Sequence, residues 1–220
     1  MARVIVFGTR DLAQLARFYL DCDSDHEVVA HCVHEAYLPD EPTLDGLPVV
    51  AFEEVQSRFP PERYAFFAPM SHRDMNKQRQ QVYEQTRAKG YTLISYVSSR
   101  ATVFPETPIG DNCFILEDNT LQPFTQIGSN VVLWSGNHIG HHSVIQDHAF
   151  LTSHVVVSGH CTIGSYAFVG VNASVRDGVT LSEGTFVAMA ASITRDTDAW
   201  GVYKGNPAEK SKIPSNRLRF

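Results

Sequence analysis

Cysteine is scarce in this chain. Cys22, Cys32, Cys113 and Cys161 are the only four among 220 residues. No pair stands at metal-ligand spacing, and a chain this long needs no disulfide framework, so all four read as reduced thiols. Basic residues are in short supply too: 18 Lys and Arg against 24 Asp and Glu leave a net charge of −6. That balance lacks the footprint of a nucleic-acid binder, and the scattered cations argue against an anionic membrane surface as partner. No apolar run approaches the ~20 residues needed to span a bilayer. The opening MARVIVFGTRDLAQ has too short an apolar stretch for a signal peptide and meets acid at Asp11, so the cytoplasm is the expected compartment. What remains is an ordinary globular balance, 43% apolar and 19% charged, with enough chain for one large domain or two small ones.

The two halves have different periods. In residues 1–96, RVIVFG (3–8), EVVAHCV (27–33), LPVVAF (47–52), YAFFA (64–68) and YTLISYV (91–97) read as strands. DLAQLARFYL (11–20) is an amphipathic helix, and a polar helix-favouring stretch between Arg73 and Lys89 ends at Gly90, a C-terminal stop signal. Alternating strands and helices predict a small parallel-sheet α/β domain. From Val97 onward every sixth residue is Ile, Leu or Val, seventeen times without a slip as far as Ile193. The residue four after each of these is small, or is Asn. Two residues on, the next aliphatic points the same way along a strand, so each hexad offers one inward pair. Cys113 and Cys161 fall on the small track, so their simplest role is packing. A six-residue repeat of this kind predicts a parallel β-helix solenoid.

The hexads IGDNCF, IGSNVV, IGHHSV and IGSYAF, with the closing VYKGNPAEK (202–210), resemble the left-handed β-helix acyltransferases. The junction MNKQRQQVYEQTRAKGYTLISYVSSRAT (75–102) and the segment FVGVNASVRDGVT (168–180) resemble one subgroup, the bacterial sugar acetyltransferases of the bacillosamine, perosamine and sialic-acid type. The resemblance implies a Rossmann-like α/β domain over 1–96 that binds substrate and nucleotide, a left-handed β-helix over 97–199 and a C-terminal tail over 200–220 packed on it. It implies a homotrimer, acetyl-CoA as donor, and transfer to an amino group of a nucleotide-linked amino sugar for surface glycan biosynthesis. O-acetylation of a sugar is the alternative within the same class.

GNHIGHHSVIQDH (136–148) holds four histidines. The subgroup's general base lies 27 residues before its F-L-G-x-N motif, and counting back from Phe168 reaches His141. His142 then stands where the subgroup often has an acid. The residue type suits the reaction: imidazole, with an ordinary pKa of ~6.5, accepts a proton near neutral pH, and such help is worth ~10²–10⁴-fold. His142, His148, His154 and His160 each follow an aliphatic position by three, at equivalent outward places, and read as exposed positions or a subunit interface. A γ-carbonic-anhydrase-like zinc site is the competing reading from another class. That family takes two ligands from an H-x-x-x-x-H pair, and no two histidines between 138 and 160 are five apart. Six-residue spacing also sends successive histidines to different sides of the solenoid, so no metal is expected. A non-catalytic trimeric solenoid is the last alternative.

By the same resemblance, Gly159, Val171, Ala188 and Met189 line the coenzyme A groove, with Lys204 and Lys210 available to its phosphates. For the acceptor, the subgroup's glycine-rich turn after strand one is here FGTRDLAQ, which keeps Gly8 and places Thr9, Arg10 and Asp11 beside it. A glycine-rich turn lets backbone N–H groups approach phosphate, and Arg10 offers a direct partner instead. Glu35 is a candidate for ribose hydroxyls, and Trp134 and Asn137 for walls around the sugar.

Overall fold

The computed structural model describes residues 1–218, so the last two residues of the expected tail lie outside the described residues. The chain begins with β1 (Arg3–Phe7), α1 (Asp11–Asp23) and β2 (Glu27–Val33), followed by β3 (Thr43–Leu44), β4 (Leu47–Ala51), α2 (Val55–Arg58), β5 (Ala65–Phe67) and α3 (Lys77–Ala88). The five strands form one sheet in the order β3-β4-β2-β1-β5. All pairings are parallel except that of β3 with β4. α1 follows from its pattern: Ala13, Ala16 and Leu20 are buried on one face, and Asp11 in the first turn complements the helix dipole. α3 ends where Gly90 adopts φ +86 and its N–H donates to Arg87 O at 2.9 Å.

YTLISYV does not form a single strand. Leu93 makes an isolated bridge to Phe66, while Tyr96–Val97 (β6) pairs with Phe114–Ile115 instead. The segment is the seam between two sheets, because its first half completes the N-terminal sheet and its second half starts the repeat. Asp23 pins this seam, accepting hydrogen bonds from Ser99 N at 2.9 Å and Tyr96 Oη at 2.7 Å. Hydrogen bonds from Ser99 and Tyr96 hold its carboxyl at about 2.

Beyond the seam the hexads contribute two-residue strands, except that Ile109 makes only an isolated bridge to Ile127, and successive coils pair in parallel at a spacing of 18 residues, as Phe114 does with Val132 and His138 with Val156. The result is a triangular coil with three faces. The first carries the strands at 96, 114, 132, 150, 168 and 186, the second those at 102, 120, 138, 156, 174 and 192, and the third those at 126, 144, 162 and 180. Ile115, Leu121, Leu133, Ile139, Ile145, Leu151 and their successors are fully buried inside, with Cys113, Ala149, Cys161 and Ala167 among them. Val202–Lys204 adds to the first face and turns back as a hairpin to Glu209–Lys210.

The corners have their own rule. From Asn112 to Ala190 the residue three after each aliphatic has positive φ at every hexad. His142, His148, His154 and His160 occupy four of these places, with φ between 57° and 64°. Left-handed backbone is costly for most side chains, but His, Asn and Asp enter it several-fold more often than other non-glycine residues. The histidine periodicity is therefore in the first place a corner periodicity.

Among the described residues the first face carries the continuous apolar outside. Tyr96, Phe114, Val132, Phe150 and Phe168 are buried there against Val4, Val6, Ala13, Ala16, Leu20 and Phe67 of the N-terminal sheet and α1. Phe150, Phe168 and Phe186 stack in sequence at 5.8 and 4.9 Å. Each such ring removed from water contributes roughly 1.5–3 kcal/mol. α3 closes one edge of this interface. Arg79, fully buried, donates to the carbonyl oxygens of Asn130 and His148 and to Asn76 Oδ1, the last two at 2.9 Å. Burial without a carboxylate partner pulls its pKa down to about 9.

Candidate active site

His141 sits two residues beyond the Ile139 strand position, at the end of the second face, and His142 turns the corner into the third. The backbone N–H of His141 donates to Gln122 Oε1 at 2.9 Å, and His160 N donates to His141 O at 2.9 Å, so both neighbouring coils fix the segment. Nδ1 of His141 meets Nδ1 of His142 at 3.1 Å. Only one of two facing imidazole nitrogens carries a proton in that bond. If His141 donates, its Nε2 keeps a lone pair.

Gly159 lies one coil above. A Cβ built there would stand 2.8 Å from His141 Cε1, 2.9 Å from its Nε2 and 3.0 Å from Asp177 Oδ1. Those distances are inside van der Waals contact, so the imidazole occupies space that any other residue at 159 would fill. Below and above, Phe124, His142 and His160 form a ladder on the same corner, with ring centroids 4.6 and 4.8 Å apart.

The expected donor residues divide along the second face. Gly159 joins His141 at one edge. Val171, Ala188 and Met189 lie toward the opposite corner, in higher coils, with Met189 71% exposed. Lys204 is exposed, while Lys210 is already ion-paired with Asp198.

Of the expected acceptor residues, Gly8, Thr9 and Arg10 follow β1 and Glu35 follows β2, so they gather at the carboxyl edge of adjacent parallel strands, where open α/β sheets bind ligands. Gly8 has φ +107, and its carbonyl meets His31 Nδ1 at 3.0 Å. Glu53, which the sequence reading did not single out, clamps the second loop by accepting from Glu35 N at 2.9 Å and meeting His34 Nδ1 at 2.9 Å. Burial alone would raise the Glu53 carboxyl, but these hydrogen bonds outweigh it and hold the group below its ordinary range.

Asn137 and Trp134 are elsewhere. Asn137 is 1% exposed and points into the solenoid, where its Oδ1 accepts from Val155 N at 2.8 Å and its Nδ2 donates to Trp134 O. It stands on the small inward track and cannot wall a ligand. Trp134 packs into the cluster between the first face and the N-terminal sheet. His148 is also not on an open surface: it lies under α3, with Tyr83 at 5.7 Å and Tyr166 stacked at 5.1 Å. His154 and His160 are exposed. Six-residue spacing does send successive histidines to different corners, but it leaves out spacings of one and of 18 residues. Residues 142 and 160 share a corner, 141 adjoins 142, and the ligand nitrogens of all three lie within 4.8 Å of one another.

The chain superposes along nearly its whole length on the perosamine N-acetyltransferase PerB of Caulobacter crescentus, solved with CoA and GDP-perosamine, with a TM-score of 0.83, 21% identity, and coverage of 96% of this chain and 98% of that one. The acetyltransferase domain of PglB from Neisseria gonorrhoeae gives 0.82 at 19% identity, covering 96% and 100%. WeeI from Acinetobacter baumannii gives 0.67 at 18% identity, again covering 96% and 100%. The chain has the fold of these hexapeptide-repeat sugar acetyltransferases. No protein-family model and no curated sequence matches it. Among the described residues no helix is long and apolar enough to cross a membrane.

Proposed function

We propose that this protein is an acetyl-CoA-dependent N-acetyltransferase acting on the amino group of a nucleotide-linked amino sugar, with His141 as general base. The observation that carries this reading is the placement of the His141 imidazole: exposed, bonded through Nδ1 to His142, and held over the bare Cα of Gly159. The Caulobacter structure with CoA and GDP-perosamine supports the substrate class.

The chemistry needs little more. The amine nitrogen attacks the thioester carbonyl, its proton passes to His141 Nε2, and collapse of the adduct breaks the C–S bond, leaving an amide and a thiolate that takes the proton back. A thioester is already activated, so one base and positioning supply the acceleration. His142 accepts the Nδ1–H of His141 and so selects the tautomer with a free Nε2. Gly159, Val171, Ala188 and Met189 mark the donor groove along the second face, with Lys204 beside its nucleotide end. Gly8, Thr9, Arg10 and Glu35 hold the nucleotide of the acceptor.

In this reading residues 1–96 form a Rossmann-like domain, 97–199 a left-handed β-helix, and 200–220 a tail on its end. The N-terminal domain covers the first face, while His141 stands at the corner between the other two. A sugar held at Gly8 and Arg10 thus meets the His141 of a neighbouring subunit, which supports the homotrimer that the sequence resemblance implies. A supply of acetyl-CoA and of a soluble nucleotide sugar supports the cytoplasm as the working compartment.

The test is thiol release from acetyl-CoA with a panel of nucleotide-linked amino sugars and their hydroxyl counterparts. Release with an amino sugar alone supports the reading; release with the hydroxyl sugar alone makes it an O-acetyltransferase; no release with any overturns it. Light scattering that finds an active monomer rules out the trimer.

A further inference from the structure

The corner between the second and third faces holds more imidazole than the acetyl transfer uses. We propose that His141, His142 and His160 form a binding site for a divalent transition ion of the zinc, nickel or copper type, and that filling it withdraws His141 from catalysis. The second half of this proposal rests on the base role given to His141 above; the first half does not.

The donor set is right for such an ion. Imidazole nitrogen suits zinc, nickel and copper, and disfavours magnesium and calcium, which take oxygen. The three ligand nitrogens lie within 4.8 Å of one another. A tetrahedral ion bound at about 2.0–2.1 Å holds its ligand nitrogens about 3.3 Å apart. The 3.1 Å separation of the His141 and His142 Nδ1 atoms is close to that bite without any backbone movement. The same two lone pairs that compete for one proton in the free enzyme converge on a shared cation.

His160 supplies the third ligand from the next coil. Its ring stacks on His142 at 4.8 Å and 17°, and stands edge-on to His141 at 5.0 Å and 86°. Its ligand nitrogen lies within 4.8 Å of the other two, so little distance has to be closed. The backbone beneath is fixed, because His160 N donates to His141 O at 2.9 Å and His142 N to Pro123 O at 3.3 Å. Ligands on rigid neighbouring coils lose little entropy on binding. Asp177 Oδ1 and the His141 ring both lie within 3.0 Å of the point where a Gly159 Cβ would stand, so they are no farther apart than about 6 Å, and the carboxylate favours a cation there. All three histidines are exposed, which gives the ion an entry path and leaves its remaining positions to water.

The experiment is a titration of the chelator-treated full-length protein with Co²⁺, read by its visible absorption, with Zn²⁺ as competitor, beside thiol-release assays at rising Zn²⁺. The key variant is His160→Ala, which removes a ligand that has no part in the transfer. The expected result is a tetrahedral or five-coordinate cobalt spectrum in the wild type, Zn²⁺ inhibition reversed by chelator, and in His160→Ala unchanged basal turnover with at least tenfold weaker binding and inhibition. Equal cobalt affinity in wild type and His160→Ala overturns the site. Zn²⁺ binding at the three histidines with undiminished turnover overturns the inhibition. A cobalt spectrum that depends on His160, in an enzyme whose His141→Ala variant is fully active, supports the site and removes the base assignment instead.

Discussion

The Nδ1 atoms of His141 and His142 face each other at 3.1 Å, a position where many general bases have a carboxylate partner. A neutral imidazole orients His141 without adding negative charge. His141→Ala should therefore lower turnover by about 10²-fold or more while leaving acetyl-CoA binding nearly unchanged, because the base acts on the acceptor's proton. His142→Ala should fall between this and wild type, since it loses only the tautomer selection. Chelator alone should change neither. Full activity in His141→Ala would mean that the amine loses its proton to solvent.

Gly159 tests the same geometry from the other side. Alanine there would place Cβ 2.8 Å from the His141 ring. Gly159 lies outside the left-handed φ region, so the effect of Gly159→Ala falls on the imidazole rather than on the backbone. The expected outcome is turnover reduced at least tenfold with a melting temperature within a few degrees of wild type. An unchanged kcat would show that the ring is free to move aside.

Some of this architecture was legible in the sequence and some was not, for physical reasons. The solenoid register was legible because one residue in six must fill a closed triangular core, a constraint no local context relaxes. Motif spacing pointed to His141, and the fold leaves that residue exposed at a corner beside Gly159. The docking face was present as a second, slower period: Tyr96, Phe114, Val132, Phe150, Phe168 and Phe186 recur every 18 residues, just before the inward aliphatic. A reading at period six averages that signal over three faces and loses it. Arg79 carried no signal at all, since in the polar stretch KQRQQVYEQTRA it looks like any solvated helix cation. Asn137 misled because a polar residue beside a histidine looks like a ligand contact. Its place on the inward track, where Asn caps turn backbone, was the better guide.

The register itself is open to a direct test. Ile145 is completely buried in the aliphatic stack. Ile145→Asp puts a charge in that apolar stack, a cost of several kcal/mol that is comparable to the roughly 5–15 kcal/mol by which a domain is stable. The expected outcome is loss of folded protein by circular dichroism and thermal melting. Normal stability would refute the inward assignment of the whole aliphatic track.

The corner under α3 makes the chain sensitive to acid. Ala68 N donates to Asn112 Oδ1 at 2.8 Å, and a backbone amide cannot reverse that role, so Asn112 Nδ2 must be the donor to Asn130 Oδ1, also at 2.8 Å. Asn130 Nδ2 is then left to donate to His148 Nδ1 at 2.9 Å, which requires a neutral imidazole there. Burial and the Arg79 cation both hold the His148 pKa below its ordinary value. Burial lowers His31, His72 and His26 in the same direction. A histidine whose pKa is lower folded than unfolded binds fewer protons in the folded state within that window. Stability is then full above the unfolded value of about 6.5 and is lost as pH falls through it toward the folded value. The melting temperature should hold between pH 8 and 7 and decline as the pH is taken from 6.5 toward 5. His148→Asn extends the Asn112–Asn130 ladder with a residue that tolerates the φ of +64 and does not titrate. It should flatten part of that decline, leaving the share that belongs to His31, His72 and His26. An identical slope in wild type and variant would mean that His148 is protonated in place, and that Asn130 turns away from it.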